Sequence, residues 1–311
     1  MKSSINARLV YIIVLIIAIS THSSSMYSHV MSTNTQGNYI KWIDFNATAY
    51  TIDRAISLVN QYNAQHNDLD LYDVMAYISL KNANKFDRTE DTKILKSLEQ
   101  NLKKDTNPIP QYKLNKYFDY YIQSYRAVLS GIIGTIAKDD NTVNTNQLGI
   151  IGYHPIAKGH WYNNYDDFGN SRSFGYKRLH LGNDMFGSIG APIIAIEGGT
   201  VQELGWNRYG GWRIGIRSLD TKRFYYYAHL RNKTPYPPEL SKGDTIQAGQ
   251  VIGYLGNTGY GKIGTIMKGC NPHLHLGLQI IFDPSQEKGA KEIWVDVYQI
   301  VKLLNKHRAT I

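Results

Sequence analysis

Two hydrophobic periods divide this sequence near residue 140, and the change from one to the other constrains the fold more than any other feature. Before it, apolar residues recur every three or four positions, the spacing that lines one face of a helix. After it, glycines punctuate short runs rich in β-branched and aromatic residues, the pattern of strands joined by tight turns. A chain that reads as helices first and strands second belongs to the α+β class, here with a mainly antiparallel sheet.

The helical part is expected over residues 41–140. Asn46 or Thr48 caps a first helix on which Ile52, Ala55, Ile56, Val59 and Tyr62 share a face. A second is expected over 71–80, with Val74, Tyr77 and Ile78 inward, and a third over 92–103, with Ile94, Leu95, Leu98 and Leu102. Pro108 and Pro110 then break the chain. The spacing of Leu114, Tyr117, Phe118, Tyr121, Tyr125, Leu129 and Ile132 predicts one long fourth helix over 111–137. Aromatic residues at helical spacing read as core, so this stripe is assigned no chemistry.

The polar stretch 138–147 marks a boundary. Strands are expected over 192–196, 200–204, 212–217, 223–229, 251–255 and 273–281, and a closing helix over 294–306 within a C-terminal segment 286–311, where Val297, Ile300, Val301 and Leu304 share a face.

Residues 1–20 read as a signal peptide: Lys2 and Arg8, an aliphatic run, then Ala18-Ile19-Ser20 as a cleavage site. The run is about twelve residues against the roughly twenty that span a bilayer, so no stable transmembrane segment is expected after cleavage. Residues 21–40, rich in Ser, Thr, Asn and Gly, read as a linker. The protein is therefore expected to be exported, secreted or held at the cell envelope. The single cysteine, Cys270, rules out an internal disulfide and is expected to be a small buried thiol. For an exported chain, a net charge of +9 points to an anionic neighbour such as a cell-wall polymer. The basic residues are dispersed and no helix-turn-helix or zinc-finger pattern is present, so nucleic acid is not an expected partner.

Chemistry concentrates between His180 and His275, which enclose His229, His273 and Asp184 as well. His273 and His275 project to one side of a strand, and His180 and Asp184 share a face whether the segment is extended or helical. A catalytic zinc takes three protein ligands and leaves a position to water. His180, Asp184 and one histidine of the 273/275 pair meet that count, leaving two histidines for proton transfer. The segment Gly256-Asn257-Thr258-Gly259-Tyr260-Gly261-Lys262 imitates a phosphate-binding loop, but Ile263 stands where a magnesium-binding hydroxyl is required. No His-Glu-x-x-His motif occurs, which excludes the thermolysin-like class.

These motifs, in this order, resemble those of the lysostaphin-type or LytM-like zinc endopeptidases, which cut peptide bonds in bacterial peptidoglycan. Arg178-Leu179-His180-Leu181-Gly182-Asn183-Asp184 is similar to the family's first motif. Gly199-Thr200-Val201 resembles the strand after it, and Gly249-Gln250-Val251-Ile252-Gly253 with Gly256-Asn257-Thr258-Gly259 the approach to its last. The resemblance implies a LytM-like peptidase domain over 150–285 and one zinc per chain on His180, Asp184 and His275. It also implies that His229 and His273 are catalytic and that peptidoglycan stem peptides or cross-bridges are the substrate. Alternation predicts that Tyr225, Tyr227 and His229 share one strand face. The alternative is a non-catalytic wall-binding or scaffolding protein of the same fold.

Overall fold

The computed structural model describes residues 39–66, 68–137 and 146–311. The expected signal peptide, nearly all of the linker and most of the polar boundary lie outside the described residues. None of the described helices is long and apolar enough to cross a membrane.

Each of the first three helices begins on a side chain that satisfies amide donors otherwise left unpaired. Thr48 accepts the N–H of Thr51 at the start of α1 (Ala49–Asn63), Asp70 those of Tyr72 and Asp73 at α2 (Leu71–Lys81), and Asp87 those of Thr89 and Glu90 at α3 (Arg88–Leu102). The inward faces are those the periodicity marks, Ile52, Ala55, Ile56 and Val59 on α1, Val74, Tyr77 and Ile78 on α2, Leu95, Leu98 and Leu102 on α3, while Tyr62 and Ile94, expected on the same faces, are only half-buried.

The long fourth helix does not form. Residues 109–129 give a single turn, α4 (Ile109–Tyr112), and then α5 (Phe118–Leu129). Between them the Asn115 side chain accepts the N–H of Tyr117 at 2.9 Å, a local turn that competes with helix. Leu114 falls in this break and is exposed. The chain then extends into β1 (Ile133–Ala137), which pairs antiparallel with β2 (Asn146–Ile150) from Ile133↔Ile150 to Ala137↔Asn146. Gly131 marks the change: a Cβ there would overlap the Glu197 carboxylate. The tyrosine stripe is core, as expected: Phe118, Tyr121 and Tyr125 are buried, and the Tyr125 hydroxyl bonds Ser79 Oγ at 2.7 Å.

The main sheet is antiparallel and is built from β3 (Tyr162–Asn164), β6 (Asn183–Gly187), β8 (Gly199–Asn207), β9 (Gly211–Ser218), β10 (Arg223–Leu230), β11 (Thr245–Ile246), β13 (His273–Ile280) and β14 (Ile293–Val295). Their order is β11-β8-β9-β10-β13-β6-β3, with β14 also paired to β13. Two small two-stranded antiparallel sheets lie off the main sheet: β4 (Ser171–Arg172) with β5 (Arg178–Leu179), a hairpin, and β7 (Pro192–Ile194) with β12 (Val251–Tyr254), which are distant in sequence. The closing helix is shorter than expected, α6 (Tyr298–Leu304), because Trp294 belongs to β14.

Alternation gives the sheet two unlike faces. Ile214, Ile216, Tyr225, Tyr227, Leu274, Leu276 and Leu278 are buried on one, and the Tyr227 hydroxyl accepts the Ile196 N–H there at 3.1 Å. The cross-strand partners Asp184↔His275↔Ala228 and Gly277↔Tyr226↔Gly215 lie on the other. Helices and sheet belong to one compact unit, Ile43–Ile311. Arg223 ties α5 to the sheet: its guanidinium donates to Ala127 O and Ser130 Oγ, both at 2.9 Å, and pairs with Glu197 at 2.7 Å and Asp220 at 2.8 Å.

Candidate metal centre and active site

Antiparallel pairing of β6 with β13 sets Asp184 directly opposite His275, and the turn before β6 returns His180 to the same place. Gly182 makes that return feasible, since a Cβ on it would lie 2.8 Å from His275 Nε2 and 2.6 Å from Leu276 O. Three donor atoms converge as a result. His180 Nε2 lies 2.8 Å from His275 Nδ1 and 3.1 Å from Asp184 Oδ1, and His275 Nδ1 lies 3.3 Å from the same oxygen. Ligands about 2.05 Å from a tetrahedral zinc are separated by roughly 3.3 Å, so the triangle has the size of one face of that coordination shell. Two imidazole nitrogens and one carboxylate oxygen are also the donor types zinc takes, so these residues fit the ion.

The field at this spot favours a cation. Burial works against a charged His180, yet Asp167 and Asp184 outweigh it and raise its pKa to about 9. Burial likewise opposes ionisation of Asp184, but His180 and His275 hold its pKa far below the carboxylate range. His275 is lowered by burial, partly offset by Asp184. Sequence reasoning did not find the groups behind this set. Arg172 Nη2 reaches Asp167 Oδ2 at 2.6 Å and Asp184 Oδ2 at 3.1 Å, which leaves Oδ1 as the oxygen turned to the histidines. His180 Nδ1 lies 3.1 Å from Asp167 O and 3.3 Å from its carboxylate. A proton on Nδ1 satisfies these acceptors and frees Nε2, as an outer hydrogen bond does for a metal-ligating histidine. Arg172 Nη2, 3.1 Å from the same Nδ1, is then a neighbour and not a hydrogen-bond partner. Asp167 and Arg172 sit in and beside a loop upstream of the motifs, where no periodicity marks them.

His229 and His273 lie beside this cluster with their rings 4.8 Å apart, and His273 Nε2 is 3.8 Å from Asp184 Oδ1. Each ring is anchored the same way: Nδ1 lies 2.8 Å from a backbone carbonyl, Thr258 O for His229 and Asn271 O for His273. Nδ1–H donates, so Nε2 carries the lone pair. Burial, and after it His273 and His275, lowers His229 to about 3. For His273, burial lowers the pKa, but Cys270, Asp184 and the Asn271 carbonyl raise it overall.

His229 is not on the face that alternation assigns to it. Tyr225 and Tyr227 point into the core, whereas His229 meets His273 and His275 on the opposite face. The pairing of β10 with β9 shifts register between Tyr227 and Leu230, and His229 has φ +61°. A bulge with one residue in the left-handed region turns the side chain over. Cys270 is exposed, not buried, with Sγ 3.9 Å from His273 Nδ1. The segment resembling a phosphate loop leads into no helix; its Thr258 carbonyl instead anchors His229.

Residues 178–288 match Peptidase family M23. The chain is 41% identical over 117 residues to the L-Ala–D-Glu endopeptidase of Bacillus subtilis, covering 38% of this chain and 34% of that protein. It is 31% identical over 101 residues to the peptidoglycan DD-endopeptidase ShyC of Vibrio cholerae, covering 32% of this chain and 20% of the relative. The chain thus spans about a third or less of these curated relatives. A solved structure of a Ruminococcus gnavus protein assigned as a glycyl-glycine endopeptidase LytM aligns with a TM-score of 0.51 at 23% identity, over 84% of this chain and 89% of that one. That alignment shows a shared fold.

Proposed function

We propose that this chain, whose residues 178–288 form a domain of peptidase family M23, is a zinc-dependent endopeptidase that hydrolyses peptide bonds in bacterial peptidoglycan. The observation that carries the reading is the convergence of His180 Nε2, Asp184 Oδ1 and His275 Nδ1 beside two histidines whose Nδ1 atoms are committed to backbone carbonyls. The relatives named for an L-Ala–D-Glu bond and for peptidoglycan support the substrate class.

His180, Asp184 and His275 would hold the ion, one per chain. Zinc there supplies Lewis acidity, polarising a carbonyl oxygen and making water more acidic. The remaining work belongs to the chain. Arg172 and Asp167 keep Asp184 and His180 in their donor orientations. His229 and His273 present Nε2 lone pairs that take a proton from the attacking water and return it to the leaving amine, and a protonated ring also stabilises the developing oxyanion. In this reading residues 1–20 direct export, residues 41–140 form a helical domain beside the catalytic domain at 150–285, and the basic surface holds the enzyme to anionic wall polymers.

Elemental analysis and mass spectrometry of a peptidoglycan digest test the proposal together. One zinc per chain and new amine termini that vanish with chelator are expected. Bound zinc with no new termini from any stem or bridge peptide would replace this reading with the wall-binding scaffold.

A further inference from the structure

The face of the sheet that carries Asp184 and His275 continues sideways into a cleft of about 430 Å³, lined among others by His275, Tyr226, Arg213, Arg217, Gln202 and Trp294. Its floor is cationic. Arg213 and Arg217 stand on β9, with side chains 17% and 13% exposed, while the acids that meet them, Glu203 and Glu287, sit nearer the rim at 34% and 39%. Among the described residues each arginine makes one ion pair, through Nη2 at 3.1 Å: Arg213 to Glu203 and Arg217 to Glu287. Neither pair is the two-point clamp that a guanidinium forms with a carboxylate it is built to hold. The third acid, Glu292, is engaged with the Trp294 indole N–H at 2.7 Å and the Gly289 N–H at 2.8 Å. Arg213 Nε, Arg217 Nε and Gln202 Oε1 are buried with no protein partner, so this corner carries two donors and an acceptor that the fold does not satisfy. Burial lowers the Arg217 pKa despite Glu287, the mark of a cation whose charge is incompletely compensated.

The register places this charge within reach of the chemistry. Gly215 pairs with Tyr226 and Tyr226 with Gly277, so Arg213, two residues from Gly215 on the same face, stands toward the end of the sheet that carries His275. Two strand spacings separate Arg213 from His275, about 10 Å, or the span of some three extended residues. Ala228 itself is fully buried, and the connection runs along the cleft lining, where the Tyr226 and His275 rings lie 5.8 Å apart. Arg217 stands four residues further along the same face.

We infer that this cleft is a substrate subsite in which Arg213 and Arg217 bind a carboxylate carried by the peptide within about three residues of the bond that is cut. This rests on the proposed peptidase reading and narrows it from peptidoglycan peptides in general to acidic stem peptides. An uncharged glycyl bridge would cover the two guanidinium groups and give them no counter-charge.

The test is binding to the zinc-loaded full chain by calorimetry, using an uncleavable stem-peptide analogue with a free carboxylate, its carboxamide, and pentaglycine. The free acid should bind about tenfold or more tightly than the amide, the usual difference for a charge-assisted contact. Arg213→Gln and Arg217→Gln should each weaken the acid by a similar factor and leave the amide unchanged; their zinc content reports that they are folded. Equal affinity of wild type for acid and amide overturns the proposal without any variant, as does stronger binding of pentaglycine. Because binding is read without turnover, a failed subsite is distinct from a failed peptidase reading, in which no peptide is cut whatever its charge.

Discussion

At the scale of the residue, the proposed function divides metal holding and proton transfer between two sets of histidines. His180→Ala or Asp184→Ala should lose both zinc and activity, because three donors meet at one point. His229→Ala and His273→Ala should keep the ion and lose about a hundredfold or more in turnover, the usual contribution of a general acid or base. Zinc content beside initial rates separates the two outcomes, and loss of zinc from the 229 or 273 variants would reverse the assigned roles. His229 also permits a test on stability. A non-glycine residue at φ +61° costs on the order of 1 kcal/mol or more, so His229→Gly should resist urea better than His229→Ala by about 1 kcal/mol while being equally inactive. The histidines and Asp184 were legible in the sequence because their spacing is chemical. Asp167 and Arg172 were not, because a loop brings them in and nothing in their spacing reports the contact.

At the scale of the element, the first three helices were legible because short polar caps and a regular apolar spacing act locally. The fourth was misread. Leu114 and Tyr117 continue the spacing, but apolar periodicity registers neither the local Asn115 turn nor the tertiary close approach at Gly131. The same holds for β10, where strict alternation would leave His229 in the core and a bulge does not. The join between α5 and β10 gives a prediction of its own. The Arg223 side chain is 3% exposed and spans Glu197, Asp220 and the last turn of the helix. Arg223→Met leaves Glu197 in a mostly buried place without its partner and should cost about 3–5 kcal/mol in urea unfolding. Adding Glu197→Gln should recover much of that loss. A single variant as stable as wild type would show that the pair holds nothing together.

At the scale of the whole molecule, the net charge of +9 gives the proposed wall attachment a test apart from the site. Attraction to anionic walls is screened over about 8–10 Å at ordinary salt, so sedimentation with walls should fall as salt rises. Cleavage of a small neutral peptide should change little over the same range, and equal salt dependence of both would tie the charge to catalysis. The α+β division was legible because it is a change of period along the chain. The sheet itself has a further consequence for how such a protein can vary. Its strands are written in two interleaved frames: Leu274, Leu276 and Leu278 spell the core, and His275, Gly277 and Gln279 spell the cleft. On the proposed reading, substitutions in the second frame at positions other than His275 can alter which peptide is accepted while leaving the first untouched, so specificity is free to diverge on a constant scaffold. A one-residue deletion within β13 would exchange the frames and forfeit solubility and chemistry together. On that reading the lineage could explore substrates by point substitution but not by slippage, and the bulge at His229 is the place where a local shift of frame brings a side chain to the candidate site.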